Sequence, residues 1–227
     1  MITAKPSIYN SISIYNGGGG GKDNSPDIPD NLKKFYTQLN SLATTSNGNI
    51  SCNDLNTYKS SDFIIATVSP WKAIDYDTDF LTGTQNNYGA GNFLFRLRGS
   101  PNYYPGIAST WVKNSSSEKL IQYNVNIGDF YTMVLNNPYF FINGVNKASD
   151  VPMGTDYTGK CVRIFGLDNV NFWAFRSLKI QDKNSLVEKA KIIPVKEKST
   201  SKLGVLDTLT EQFFEGNQAG FFEYIPE

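Results

Sequence analysis

The sequence predicts a mainly β protein: two packed antiparallel sheets, preceded by one short helix and an extended N-terminal arm. Aromatic residues make up 14% of the 227 residues and charged residues only 19%, which favours strands and turns over helices. From about residue 46 onward, short apolar runs, several of them alternating, are separated by turn residues such as Asn143-Gly144. Regular spacing of this kind is typical of a β-sandwich.

Residues 1–21 form the predicted arm. Ser-Ile-Tyr-Asn occurs at 7–10 and again at 13–16, and five glycines follow at 17–21. Isoleucine and tyrosine favour strands, so the two repeats are predicted to bind a partner as short extended segments, which we call the gripping repeats. Glycine loses the most conformational freedom on ordering, so the five glycines are predicted to form a flexible linker with a reach of about 12 Å. The glycine run lacks the spacing of a phosphate-binding loop. The predicted gripping residues are Ile8, Tyr9, Asn10, Ile14, Tyr15 and Asn16.

Residues 22–45 are predicted to form a proline-punctuated linker and one helix. Asp30 is a suitable N-cap, and the apolar residues after it fall at helical spacing on one face. Two interpretations are open: the helix packs on its own domain, or it bundles with copies in a dimer or trimer. The residues of the apolar stripe are Leu32, Phe35, Tyr36, Leu39 and Leu42.

Residues 46–227 are predicted to form the sandwich. The runs at 129–137 and 138–144 flank Asn136-Asn137-Pro138 and predict a hairpin. The other predicted strands lie within residues 61–71, 91–99, 106–114, 119–127, 160–168 and 171–182. Trp173, in the last of these runs, is predicted to lie in the core.

The C-terminal part of the chain resembles the LamG-like, concanavalin A-type domain found in many bacteriophage structural proteins and in some bacterial surface proteins. The resemblance covers about residues 46–227, is strongest from 131 onward, and implies a concanavalin A-like jelly-roll sandwich. The arm and the helix are not part of the family pattern. The segments that carry the resemblance are Ser177-Leu178-Lys179-Ile180, Ile193-Pro194-Val195-Lys196, Lys198-Ser199, Gly204-Val205-Leu206-Asp207, Phe213-Phe214 and Gly220-Phe221.

These same residues predict that the C-terminal segment is held on the sandwich, an arrangement that we call the C-terminal clasp, and they do not predict a catalytic or binding site. Pro194 forbids a central position in a strand ladder, and Gly204 permits a sharp return of the chain. Asp207 is placed to accept hydrogen bonds from backbone amides in the turn that follows. Four phenylalanines are expected to pin the C-terminal segment to the body: Phe213, Phe214, Phe221 and Phe222.

The sequence contains few of the groups that catalysis needs, and no enzyme activity is predicted. It has no histidine, which excludes Ser-His-Asp and Cys-His nucleophile systems. A glycanase row of alternating acids is also missing, because Phe213 stands between Glu211 and Glu215. The two cysteines, Cys52 and Cys161, could form a pair or remain two buried thiols, and the composition favours the reduced state. They are too few for a zinc site.

No cofactor is predicted, although two weaker ligand patterns are present. Asp75, Asp77 and Asp79 share one face of an extended segment and suit calcium, but a solvated acidic face explains them as well. Aromatic residues in loops suit sugar rings, although core packing explains most of them. The glycan candidates are Trp71, Tyr88, Tyr103, Tyr104 and Trp111.

Charge and hydropathy restrict the partners that we expect. Lysine plus arginine equals aspartate plus glutamate, 21 each, so neither nucleic acid nor an anionic membrane is predicted as a partner. No run approaches the ~20 apolar residues of a membrane span, and no signal peptide is expected.

Two functional hypotheses follow. The resemblance and the arm suggest a structural protein of a tailed-phage virion, a capsid decoration or head fibre, assembled in the host cytoplasm. In this hypothesis residues 1–21 grip a virion protein, and the sandwich projects from the particle as a homo-oligomer. The alternative is a carbohydrate-binding adhesin of a phage tail or bacterial surface that acts through the sandwich loops.

Overall fold

The computed structural model describes residues 28–46, 48–59, 61–72, 77–84, 93–98, 107–114, 117–151, 158–165, 173–217 and 220–226. Within these ranges the chain forms strands and turns, and no helix. Only the backbone is described for residues 77–84, 93–98, 107–114, 117–120 and 122.

The strands, numbered in chain order, have the following bounds. The first ten are β1 Tyr36–Gln38, β2 Leu42–Thr44, β3 Ile50–Cys52, β4 Tyr58–Lys59, β5 Phe63–Pro70, β6 Asp77–Thr84, β7 Phe93–Arg98, β8 Ile107–Asn114, β9 Ser117–Asn124 and β10 Tyr131–Asn136. The remainder are β11 Tyr139–Ile142, β12 Val145–Ala148, β13 Thr158–Gly159, β14 Cys161–Ile164, β15 Trp173–Gln181, β16 Glu188–Glu197, β17 Leu203–Asp207, β18 Gln212–Glu215 and β19 Phe221–Glu223.

The strands form two large antiparallel sheets. An eleven-stranded sheet has the order β12-β11-β10-β5-β15-β16-β17-β18, with β1 paired to β16 and β2 paired to both β15 and β19. A six-stranded sheet has the order β3-β14-β6-β7-β8-β9, and β4 and β13 form a separate pair. Every predicted run contains a strand, so the mainly β prediction is confirmed.

One hydrophobic core joins the two sheets in a sandwich-like arrangement. Ile64, Leu135 and Phe175 of the large sheet share a buried cluster with Ile50 and Ile164 of the small sheet. Side chains alternate between the faces of a strand. In β5, Ile64, Ala66 and Val68 accordingly lie in this core, whereas Ile65 lies in a separate cluster. Trp173 is fully buried in the same cluster, as predicted.

The predicted hairpin is confirmed. β10 and β11 are antiparallel, and their register ends with Asn136 opposite Tyr139. The two-residue loop between them has a cis Asn137–Pro138 peptide bond. The Nζ of Lys183 donates a hydrogen bond to the Asn137 carbonyl oxygen at 2.7 Å, which ties this turn to the loop between β15 and β16.

The predicted helix over residues 30–42 is wrong. Residues 30–35 form a turn, after which the chain extends into β1 and then β2. The apolar stripe is divided between environments: Leu39 and Leu42 enter the main core, whereas Phe35 is 51% exposed. Pairing with β15 and β16 satisfies the backbone of this segment, so tertiary contacts override the helical spacing. The described residues before 46 are therefore built into the large sheet.

The expectation for Pro194 is also wrong, for a definite reason. Pro194 lies inside β16 and is paired with Val205 of β17. On its other side the neighbour changes: the register with β15 ends at Ile192, and the register with β1 begins at Val195. Proline lacks a backbone N–H, and its position between two partner strands accommodates that lack. Its carbonyl oxygen accepts a hydrogen bond from the Leu39 N–H at 3.0 Å.

Candidate functional site: the root of the N-terminal arm

The predicted gripping residues Ile8, Tyr9, Asn10, Ile14, Tyr15 and Asn16 lie outside the described residues. The structure does describe the segment that follows the arm and linker. We call residues 28–39 the arm root.

A small hydrophobic cluster holds the arm root on the large sheet. Ile28 and Leu32, only 4% and 5% exposed, pack against Ile193, Val195 and Leu206. The side chains of Ile193 and Val195 alternate with that of Ile192, which lies in the main core. The arm root therefore covers the outer face of the sheet, opposite the sandwich core.

Hydrogen bonds within the arm root close it into a compact turn. The Ile28 N–H donates to Gln38 Oε1 at 3.0 Å, which joins the two ends of the segment. The Leu32 and Lys33 N–H groups both donate to the Pro29 carbonyl oxygen. These bonds satisfy the backbone of the turn without a continuing helix.

Further contacts fasten the arm root to the C-terminal half of the chain. β1 pairs with β16, with Tyr36 opposite Glu197. Asn31 Nδ2 donates to Glu211 Oε1 at 3.0 Å. The Tyr36 ring stacks on the Phe213 ring with centroids 5.6 Å apart, and partial burial, together with the nearby Glu197 carboxylate, raises the pKa of Tyr36. The arm root is thus attached at several points along its length.

The predicted phenylalanine clasp is confirmed. Phe214 lies in the main core, and Phe213 packs against the arm-root cluster. Phe221 packs on Phe165 with ring centroids 5.9 Å apart, and Phe222 meets Trp71 edge-to-face at 5.3 Å. β19 pairs with β2, so the C-terminal segment is held by its backbone as well.

Asp207 has the predicted role in the clasp. Its side chain is fully buried, and Oδ1 accepts hydrogen bonds from the Leu209 N–H at 3.3 Å and the Lys191 N–H at 2.9 Å. Oδ2 accepts a hydrogen bond from the Thr210 hydroxyl at 2.7 Å. A buried carboxylate with several donors orders the turn between β17 and β18.

Gly204 has a different role from the one predicted. It lies within β17 rather than at a return of the chain. A Cβ at this position would lie 2.3 Å from the Phe214 carbonyl oxygen and 2.8 Å from the Phe213 ring. Glycine is therefore needed because β18 and its phenylalanine ring approach β17 closely.

Both cysteines are free, as predicted, and the sheet geometry explains why. Cys52 is paired with Val162, so those two side chains share a face of the small sheet, whereas Cys161 precedes Val162 and points to the other face. Burial raises the pKa of the Cys52 thiol well above its usual value. Cys161 Sγ donates to Asn53 Oδ1 at 3.0 Å on the outer face.

The glycan candidates are not brought together by the described part of the chain. Trp71 is half-buried and packs against the core and Phe222. Tyr88, Tyr103 and Tyr104 lie outside the described residues, and Trp111 lies in β8, where only the backbone is described.

The calcium candidates are likewise described only in part. Asp75 lies outside the described residues, while Asp77 and Asp79 lie in β6, in register with Arg98 and Arg96 of β7. The described residues contain no group of three or more histidine, cysteine, aspartate and glutamate side chains placed to hold a metal ion. In the same part of the chain, no helix is long and apolar enough to span a membrane.

Ile28 and Gln38 are structural residues of the arm root that the sequence does not reveal. Residues 22–30 have the pattern of a linker, because the segment is polar and contains prolines at positions 26 and 29. The one indication in the sequence that this segment packs on the domain is the isolated apolar residue Ile28. A single apolar residue has no periodicity, so its partners on β16 and β17 do not follow from the sequence.

No protein-family model, no curated protein and no solved structure matches this chain.

Proposed function

We propose that this chain is a non-enzymatic structural protein of a tailed-phage virion, a capsid decoration or head fibre, assembled in the host cytoplasm. Residues 1–21 attach it to a virion protein, and the sandwich, of the concanavalin A-like type, projects outward as a homo-oligomer. The observation that carries the proposal is the attachment of the arm root to the large sheet. A pull on residues 1–21 is transmitted along the chain to the arm root, which Ile28, Leu32 and the β1–β16 pairing hold on the large sheet.

The C-terminal clasp supports the proposed family. The segments that resemble LamG-like phage domains are the ones that form β15 to β19, and Asp207 and the phenylalanines make the contacts that such an ending needs. The same segments hold the arm root, since β16, β17 and β18 provide its packing partners.

In this proposal each Ser-Ile-Tyr-Asn repeat adds as a short strand to a sheet edge of the virion protein. Main-chain hydrogen bonds give affinity in this mode of recognition, and pockets for alternate side chains give specificity. Two repeats suit two equivalent sites on the partner. The five glycines allow the anchored strands and the folded domain to differ in orientation, as a symmetry mismatch requires.

Paired substitutions in the arm test the proposal. We expect the Tyr9→Ala/Tyr15→Ala double variant to lose binding to phage particles that lack the protein, because both anchoring rings are removed. The matched control is Ser7→Ala/Ser13→Ala, which changes the same two repeats but keeps the rings, and which is expected to bind as wild type. Binding is measured by co-sedimentation.

Substitutions in the sandwich distinguish the adhesin alternative. Trp71→Ala and Tyr103→Ala are expected to leave particle binding unchanged. If the arm variant pellets like wild type while these sandwich variants lose retention on immobilised glycans, the structural proposal is wrong and the adhesin hypothesis replaces it.

A further inference from the structure

We propose that Lys34, Phe35 and Lys198, which we call the basic-aromatic patch, form a second contact that docks on an acidic surface of a protein in the virion. The inference rests on the proposed function, because it assigns the patch to the partner that the arm grips. It adds a binding surface on the folded domain itself.

The three side chains are held together at the arm root. Phe35 is 51% exposed, and the Nζ of Lys34 lies 4.7 Å from its ring centroid. The Lys198 N–H donates to the Phe35 carbonyl oxygen at 2.8 Å, and Lys198 Nζ donates to the Lys33 carbonyl oxygen at 2.6 Å. The patch therefore joins the turn of the arm root to the end of β16.

The exposed ring lies on a fixed backbone. The Phe35 N–H donates to the Leu32 carbonyl oxygen at 2.9 Å, and its carbonyl oxygen accepts the bond from Lys198. Its neighbours Leu32 and Tyr36 pack into the arm-root cluster, whereas the Phe35 side chain does not. An aromatic side chain presented on an ordered backbone costs little entropy on binding, which is typical of an interface anchor.

Lysines outnumber acidic residues around the patch: residues 28–36 and 196–198 contain four lysines and two acidic residues, whereas the whole chain is balanced at 21 and 21. Of the two acids, Asp30 forms an ion pair with Lys33 at 2.8 Å. Glu197 keeps its negative charge, because its hydrogen-bond donor is the neutral Thr200 hydroxyl.

Neither Lys34 nor Lys198 forms an ion pair with any residue that the structure describes. The Lys198 ammonium uses one N–H for the Lys33 carbonyl oxygen, and the Lys34 ammonium lies over the Phe35 ring. Because an ammonium carries three donors, each can still donate to an external carboxylate.

Charge complementarity and size indicate an acidic protein surface as the occupant. In such an interface, the two lysines would speed association with an acidic partner. The exposed aromatic ring would supply contact area once the partner is bound. Nucleic acid is disfavoured, since its binding rests on many phosphate contacts and the patch contains only two cations.

The position of the patch next to the arm explains how a small contact can contribute to the total binding affinity. Ile28 is the first described residue, and Lys34 lies in the turn that follows it. Once the arm is attached, the patch is tethered to the same partner at an effective concentration in the millimolar range, so a weak contact adds measurably to the total affinity.

Charge reversal tests the patch on the full-length chain. We expect Lys34→Glu/Lys198→Glu to raise the dissociation constant for particles about tenfold at 50 mM salt, with the difference shrinking towards 0.5 M salt as charges are screened. Phe35→Ser is expected to weaken binding at both salt concentrations. The matched control is Lys147→Glu, an exposed lysine on β12 at the opposite edge of the large sheet, which is expected to bind as wild type.

A probe that needs no virion separates the two proposals. In an NMR titration of the full-length protein with poly-L-glutamate, we expect the largest amide shifts at residues 33–37 and 197–199, and small shifts near Lys147. Shifts that are equal at Lys147 and at the patch overturn the inference, and so does tighter binding of the patch to a single-stranded DNA oligonucleotide.

The outcomes are distinguishable. If wild type fails to pellet with particles, the proposed function is wrong, and the titration alone decides whether the patch binds acidic polymers. If wild type pellets, and the charge-reversed variant pellets equally at every salt concentration, the patch inference is wrong and the proposed function stands.

Discussion

Asp207 illustrates how far a single residue can be understood from the sequence. Its place after a strand and before a turn predicted a side chain that accepts bonds from backbone amides, and the carboxylate accepts them from Leu209 and Lys191. The bond to Lys191 was not predicted, because it depends on the register between β16 and β17. Gly204 shows the same limit: its close neighbour Phe214 lies on another strand.

Removing the Asp207 carboxylate is expected to destabilise the fold. Asp207→Ala leaves buried donors without an acceptor, and we expect the free energy of unfolding to fall by about 2–3 kcal/mol in urea denaturation. Asp207→Asn keeps one acceptor oxygen and is expected to lose less. An alanine variant as stable as wild type would contradict the role assigned to the carboxylate.

Asp182 gives a pH dependence with a definite sign. Hydrogen bonds from the Ser185 and Asn184 N–H groups, and then the Lys189 ammonium, lower the pKa of Asp182 below its usual value of 3.8. A lowered folded-state pKa gives stability that is present above pH 3.8 and is lost as the pH falls through the folded-state pKa. The unfolded chain binds more protons in that window, so stability rises with pH there.

We therefore expect Asp182→Asn to flatten the acid limb of the stability profile. The free energy of unfolding, measured by urea denaturation between pH 5 and pH 2, should fall less steeply in the variant than in wild type. The control is Asp54→Asn, an exposed aspartate at positive φ where asparagine is well tolerated. Equal slopes in wild type and Asp182→Asn would contradict the prediction.

At the scale of elements, the alternation of apolar and polar residues predicted the strands correctly, whereas the spacing of apolar residues three and four apart predicted a helix that does not form. The runs that became β5, β10 and β15 carry apolar side chains that enter one core, and this pattern is visible in the sequence. The arm root has apolar residues three and four apart, yet Leu32 packs on the outer face of the large sheet and Leu39 in the core. Spacing along the chain could not predict this, since the two residues are separated by a turn and a strand.

A pair of substitutions tests the arm root. We expect Leu32→Ala to lower the free energy of unfolding by about 2 kcal/mol or more, because a buried leucine is removed from the cluster. Phe35→Ala is expected to change it by less than about 0.5 kcal/mol, since that ring is largely exposed. Urea denaturation measures both. A helix with one apolar stripe would make the two losses similar, and that result would contradict the structure.

At the scale of the whole molecule, the sandwich-like arrangement could be predicted, but the pairing of the N-terminal strands with the large sheet could not. Turn residues between alternating runs predicted two antiparallel sheets. The sequence did not predict that β1 would pair with β16, or that β2 would pair with both β15 and β19. Such pairings link residues far apart in the chain, for example Leu42 with Glu223. The arm root therefore lies where both halves of the chain meet.

The central claim is that the N-terminal arm attaches the protein to a virion. The most direct measurement is co-sedimentation of full-length protein, and of a version lacking residues 1–21, with tailed-phage particles that lack the protein. The deletion must stop before Ile28 and Pro29, since both belong to the folded arm root. We expect only the full-length chain to pellet. If both versions pellet equally, the folded domain makes the main contact and the arm is not the anchor.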